Sequence, residues 1–123
     1  MEIDLYFDPI DLSGYEFADK AHRKRLGDIV RSYHTKENFP SLENIDIAII
    51  GVKEERAAID NAGCKLAPDV IRDYFYRLFR GPHDLRIADL GNIIQGNSIE
   101  DTYFAVTTVV KQLLEHSIFP III

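Results

Sequence analysis

The sequence predicts an α/β fold built on a parallel sheet, and three observations predict it. Short, β-branched apolar runs lie near residues 45–52, 86–90 and 118–123, each bounded by glycine, proline or a polar turn. Stretches with one apolar face and a recognisable helix start separate them. Strand, helix, strand, helix, strand in that order is the pattern of parallel strands joined by crossover helices.

The first strand is the run Ile45-Asp46-Ile47-Ala48-Ile49-Ile50-Gly51-Val52, nearly continuous in apolar residues, as expected of a strand covered on both faces. A polar loop of residues 53–67 follows. Pro68 then opens a helix at a position where its missing N–H does no harm. Val70, Ile71, Tyr74, Phe75, Leu78 and Phe79 make one apolar face, predicted to lie on the sheet, and Gly81-Pro82 is predicted to stop the helix. The second strand is Arg86-Ile87-Ala88-Asp89-Leu90, closed by Gly91. Ser98 is placed to cap the next helix, with Asp101 reaching back to it, and Tyr103, Val106, Val109, Val110, Leu113 and Leu114 form the apolar stripe. The last strand is Ile118-Phe119-Pro120-Ile121-Ile122-Ile123, and no cap, turn or polar tail follows it. That ending predicts an interior β-element of a truncated polypeptide, with one edge uncovered.

Residues 1–44 read as an N-terminal extension, broken by Pro9, Gly14 and Pro40 and holding one helix around residues 16–33; residues 45–123 read as an incomplete α/β domain. The apolar positions of that helix are Phe17, Ala18, Ala21, Leu26, Ile29 and Val30.

The composition sets limits on function. The 123 residues are 46% hydrophobic and 28% charged, which suits one globular domain and argues against disorder. A formal charge of −6 disfavours a nucleic-acid partner, so the basic run His22-Arg23-Lys24-Arg25 reads as a solvated helix face. One cysteine, an acidic start without an apolar signal core, and no membrane-length apolar run predict a cytoplasmic protein without membrane attachment.

Individual residues carry limited chemistry. Gly51 and Gly63 lie too far apart for a dinucleotide fingerprint. Cys64 reads as a buried thiol, because no histidine lies near it in sequence. His22, His34, His83 and His116 are scattered, and no pair has the spacing of metal ligands. Asp89 reads either as a carboxylate reaching a cleft or, more simply, as one holding the turn at Gly91 through backbone N–H groups. The long loop is the most informative segment, since it follows the carboxyl end of a strand, where parallel sheets bind ligands. Lys53, Glu54, Glu55, Arg56 and Asn61, with Asp60, are the candidates to border a polar substrate; solvated surface charge is the alternative reading of the same residues.

Three segments together resemble a known family. Gly51-Val52-Lys53-Glu54-Glu55-Arg56, followed by Asn61-Ala62-Gly63-Cys64-Lys65-Leu66-Ala67-Pro68-Asp69-Val70-Ile71-Arg72, resembles the first strand, loop and helix of the arginase-family ureohydrolases. Ile87-Ala88-Asp89-Leu90-Gly91-Asn92 is similar to the family's Asp-X-Gly-Asp element, with Asn92 in place of the last aspartate. Phe119-Pro120-Ile121-Ile122-Ile123 is similar to the strand that leads into Gly-Gly-X-His. The loop wording is nearest to formimidoylglutamase-like members.

The resemblance implies a three-layer α/β/α fold with these strands in the order two-one-three, which leaves residues 118–123 at an edge and favours a homo-oligomer through it. It also implies a hydrolase of linear amidines or guanidines, using two manganese ions to activate a bridging water. The family's metal ligands come from Gly-Gly-X-His, Asp-X-His-X-Asp and Asp-X-Asp, and this chain contains none of these motifs. No catalytic or metal-binding residue is therefore assigned, no cofactor is expected in this chain, and the chain alone is expected to be inert. A free-standing α/β interaction module is the alternative, and a flavodoxin-like nucleotide-binding domain is a third reading.

Overall fold

The computed structural model describes residues 1–14 and 25–123. The elements are β1 (Phe7–Asp8), α1 (Leu26–Ile29), β2 (Arg31–Ser32), β3 (Ile47–Val52), α2 (Ala67–Arg77), β4 (Ile87–Ile93), α3 (Ile99–Glu115) and β5 (Phe119–Ile122), with 3₁₀ turns at Asp4–Tyr6 and Cys64–Leu66.

β3, β4 and β5 form the parallel centre of a five-stranded sheet, in the order β4-β3-β5. This is the two-one-three order the resemblance implied, with helices on both faces of a mainly parallel sheet. β4 runs three residues beyond its predicted end, through Gly91, because its outer edge is closed by two short strands lying end to end. β2 pairs with Ala88 and Asp89 in parallel, and β1 pairs with Asn92 and Ile93 antiparallel. Every residue of β4 is consequently buried. Among the described residues, β5 pairs with β3 alone and forms the opposite edge.

The helix predicted near residues 16–33 is corrected where it is described; residues 15–24 lie outside the described residues. Among the described residues of that span, Leu26–Ile29 are helix and Arg31–Ser32 are strand. The edge of β4 takes this segment: Tyr33 N–H donates to the Asp89 carbonyl at 2.9 Å, and the buried Tyr33 ring packs edge-on against Phe39. An exposed helix offers neither gain.

The two faces of the sheet differ in character. On one, Ala48, Ile50, Ala88 and Leu90 pack against Ala105, Val109 and Leu113 of α3, forming the hydrophobic core. Full burial of a side chain such as Val109 or Leu113 stabilises by about 1.5–3 kcal/mol. The capping box of α3 forms as predicted: Asp101 N–H donates to Ser98 Oγ at 3.1 Å and Ser98 N–H to Asp101 Oδ2 at 3.0 Å. Tyr103 and Leu114, predicted for its buried stripe, are exposed, while Thr102 and Ala105 are buried instead.

α2 corrects its prediction more sharply. The face it turns to the sheet is Pro68, Arg72 and Tyr76, and Val70, Ile71, Tyr74, Leu78 and Phe79 are exposed. A buried carboxylate in β4 decides the rotation of the helix, because it needs a cation more than the sheet needs another isoleucine. α2 also ends at Arg77, before Gly81-Pro82, because Leu78 accepts a hydrogen bond from Leu26 N–H at 2.8 Å and Phe79 bridges to Arg25.

Candidate functional site

In parallel sheets the loops at the carboxyl ends of the strands carry ligand sites. Here these are the loop after β3 and the end of β4. An open cleft of about 520 Å³ lies there, lined by Asp11, Ser13, Lys53, Asp69, Asp73 and Asn92 among others. A cavity of about 670 Å³ opens instead beside Asp46 and Ile118, at the amino ends of β3 and β5, where the fold places no ligand chemistry.

The five candidates of the long loop do not converge on one point. Lys53 Nζ pairs with Asp69 Oδ2 at 2.5 Å, at the start of α2, and borders the cleft. Glu54 and Arg56 come together and face α3. Arg56 donates to both carboxylate oxygens of Glu54, to the carbonyls of Gly96 and Ser98 at 3.0 Å, and to Thr102 Oγ1 at 3.2 Å. Thr102 Oγ1 in turn donates to Glu54 and accepts from Gly96 N–H. One arginine thus ties the loop to the turn that launches α3. Glu55 closes the loop on itself, accepting from Gly63 N–H at 2.8 Å and pairing with Lys65 at 3.0 Å. Asn61 is exposed near the tip, with Asp60 at φ 55° beside it.

Side-chain hydrogen bonds from Arg56 hold the Glu54 carboxyl far below its ordinary range, at about 2. Arg86 does the same to Asp46, also to about 2. A carboxyl depressed in the folded state contributes stability in full above its unfolded value and loses it as pH falls toward the folded one. The urea midpoint is therefore expected to fall between about pH 4.5 and about pH 2. Glu54→Gln should flatten that decline; an unchanged profile in this variant would show that the loop contact contributes nothing.

Sequence reasoning missed the network beneath the cleft. Arg72 is fully buried; its Nε donates to Asp89 Oδ2 at 2.7 Å, Nη2 to Asp89 Oδ1 at 2.9 Å and to the Gly91 carbonyl at 2.8 Å, and Nη1 to Asn92 Oδ1 at 2.7 Å. Tyr76 OH and Gly91 N–H also donate to the Asp89 carboxylate, at 2.7 and 3.0 Å. Asp89 does hold the Gly91 turn, as the simpler reading had it, and is also the counter-ion of Arg72. The available signal was an aspartate in a strand predicted buried, which requires a partner. Gly51 leaves the room: a Cβ there would stand 2.0 Å from Asn92 Oδ1 and 3.0 Å from Arg72 Nη2.

Cys64 is half-buried rather than buried, since it sits in the 3₁₀ turn ahead of α2. The described histidines remain apart: His34 Nδ1 bonds the Ser32 carbonyl, His116 Nδ1 bonds that of Gln112, and His83 is exposed.

A mainly parallel sheet with helices on both faces defines an α/β protein. A family model described as the arginase family matches residues 45–123, and the chain belongs to the arginase family. No curated protein and no solved structure matches it. Among the described residues, no group of three or more His, Cys, Asp or Glu is placed to hold a metal ion. Asp89, the buried carboxylate, accepts from four donors, two of them the fork of Arg72. The described residues therefore do not fit a manganese pair. Among them, too, no helix is long and apolar enough to cross a membrane.

Proposed function

We propose that this chain is the amino-terminal part of a cytoplasmic, manganese-dependent hydrolase of linear amidines or guanidines, nearest in kind to formimidoylglutamases, and that it is inert alone. The family match over residues 45–123 carries this reading. The cleft and the loop at the carboxyl ends of β3 and β4 support it, because they lie where this sheet type receives ligands. Lys53, Glu54, Glu55, Arg56 and Asn61 are proposed to border the substrate. The two manganese ions would be held by residues outside this chain, and the part of these residues is to hold the loop in place.

With manganese present, the chain alone is expected to release no urea, ammonia or formamide from arginine, agmatine or formimidoylglutamate. A polypeptide extended with the residues encoded after Ile123 is expected to hydrolyse one of them and to lose that activity on chelation. An extended polypeptide that binds no manganese in titration calorimetry would overturn the reading.

A further inference from the structure

The cleft at the carboxyl ends of β3 and β4 holds a polar group that the fold leaves unused. Asn92 is only 7% exposed and lines that cleft. Its Oδ1 accepts from Arg72 Nη1 at 2.7 Å. That bond sets which end of the amide is which, because a guanidinium can only donate. The NH2 end is turned elsewhere; it donates to no atom of the described residues and is left to the cleft. A nearly buried donor normally meets an acceptor, and none of the described protein groups takes that place.

The rest of the lining is charged. Lys53 comes from the end of β3, and its pair with Asp69 uses one of its three N–H donors. Asp73 and Arg77 pair at 2.8 Å along α2, and Asp11 accepts from Ser13 N–H at 2.9 Å. Three carboxylates, those of Asp11, Asp69 and Asp73, stand against the two cations, so the lining carries a net negative charge. Neither β5 nor the sheet edge it forms contributes to this cleft.

We propose that the cleft binds a small zwitterion, with its carboxylate on the Asn92 NH2 group and Lys53 and its cationic nitrogen against Asp11 and Asp73. The unused amide requires an acceptor, and the ammonium of Lys53 makes a carboxylate a stronger one than a neutral carbonyl. The negative lining resists a bare anion but accepts one that carries its own cation. A volume of about 520 Å³ has room for a molecule of amino-acid size. The inference rests on the reading of this cleft as a ligand site, and it involves no metal and no residue beyond Ile123. Manganese binding and turnover test the hydrolase, whereas binding of amino acids that lack an amidine tests this inference, so either can fail alone.

Glycine, γ-aminobutyrate and ε-aminocaproate are the probes, added to the chain in NMR titrations. At least one is expected to shift the Asn92 side-chain amide resonances in a saturable way. The carboxylic acid and the amine of the same length, each with one charge, should bind at least tenfold more weakly. Asn92→Asp keeps an acceptor for Arg72 and removes the NH2 donor, so by calorimetry it should lose binding at least tenfold while circular dichroism stays that of the folded chain. Lys53→Gln, at a partly exposed position, should weaken binding at least fivefold and decides the matter where Asn92→Asp does not fold. No saturable shift with any of the three probes overturns the inference, and so does unchanged affinity in a folded Asn92→Asp or in Lys53→Gln. Binding that residues 1–123 show and a polypeptide extended beyond Ile123 lacks overturns it equally, because the following chain would then fill the cleft.

Discussion

Arg72→Leu is expected to destabilise the chain by about 3–5 kcal/mol, the cost of leaving a buried charge without its partner. Arg72 meets the two oxygens of Asp89 as a fork and also donates to the Gly91 carbonyl and Asn92. Without it, Asp89 keeps the Tyr76 hydroxyl and Gly91 N–H, which satisfy hydrogen bonding but not charge. In thermal unfolding the loss corresponds to a drop of roughly ten to twenty degrees for a domain of this size. Arg72→Lys keeps the charge and forfeits the fork, so it should fall between. The combined variant Arg72→Leu, Asp89→Leu, Tyr76→Phe removes both charges and the tyrosine hydroxyl, leaving Asn92 as the polar side chain of the cluster, and should recover part of the loss, because an apolar replacement of a buried ion pair is often neutral. Urea unfolding followed by circular dichroism decides the matter: a combined variant as unstable as Arg72→Leu would show that packing, and not the uncompensated carboxylate, sets the cost.

That cluster also explains how far the sequence could be read. The three parallel strands, their order, the cap at Ser98 and the family were legible because each rests on local pattern or on motif wording. The rotation of α2 was not, since its apolar residues spell a stripe that a periodicity rule turns inward, while Asp89 attracts the face carrying Arg72 and Tyr76. A pair separated by seventeen residues leaves no periodic trace. The strands β1 and β2, of two residues each, are too short to carry a pattern; the exposed side of β4 creates them. A long loop does follow β3, as its polar wording predicts, but the partners of its charges were not legible, because Arg56 bonds residues forty or more positions away in a turn that has no charge signature of its own.

Gly91→Ala is expected to be the other severe substitution, at about 3 kcal/mol or more, because two costs combine at one residue. Its φ of +84° strains any residue with a Cβ. A Cβ there would also stand 2.2 Å from the Asp8 carbonyl oxygen, so β1 must move off the edge of β4. Gly63 separates the two costs: its φ is +90°, yet nothing lies within 4 Å of an added Cβ, so Gly63→Ala should cost only about 1 kcal/mol from backbone strain. The difference between the two variants measures the close approach of β1 alone. Displacing β1 also removes the hydrogen bond from Ile94 N–H to the Tyr6 carbonyl, now 2.8 Å. Amide exchange at Ile94 should therefore accelerate in Gly91→Ala and stay slow in Gly63→Ala. Equal destabilisation in the two variants, with Ile94 protected in both, would mean that β1 does not depend on a bare backbone at position 91 and that the closed edge of the sheet has another cause.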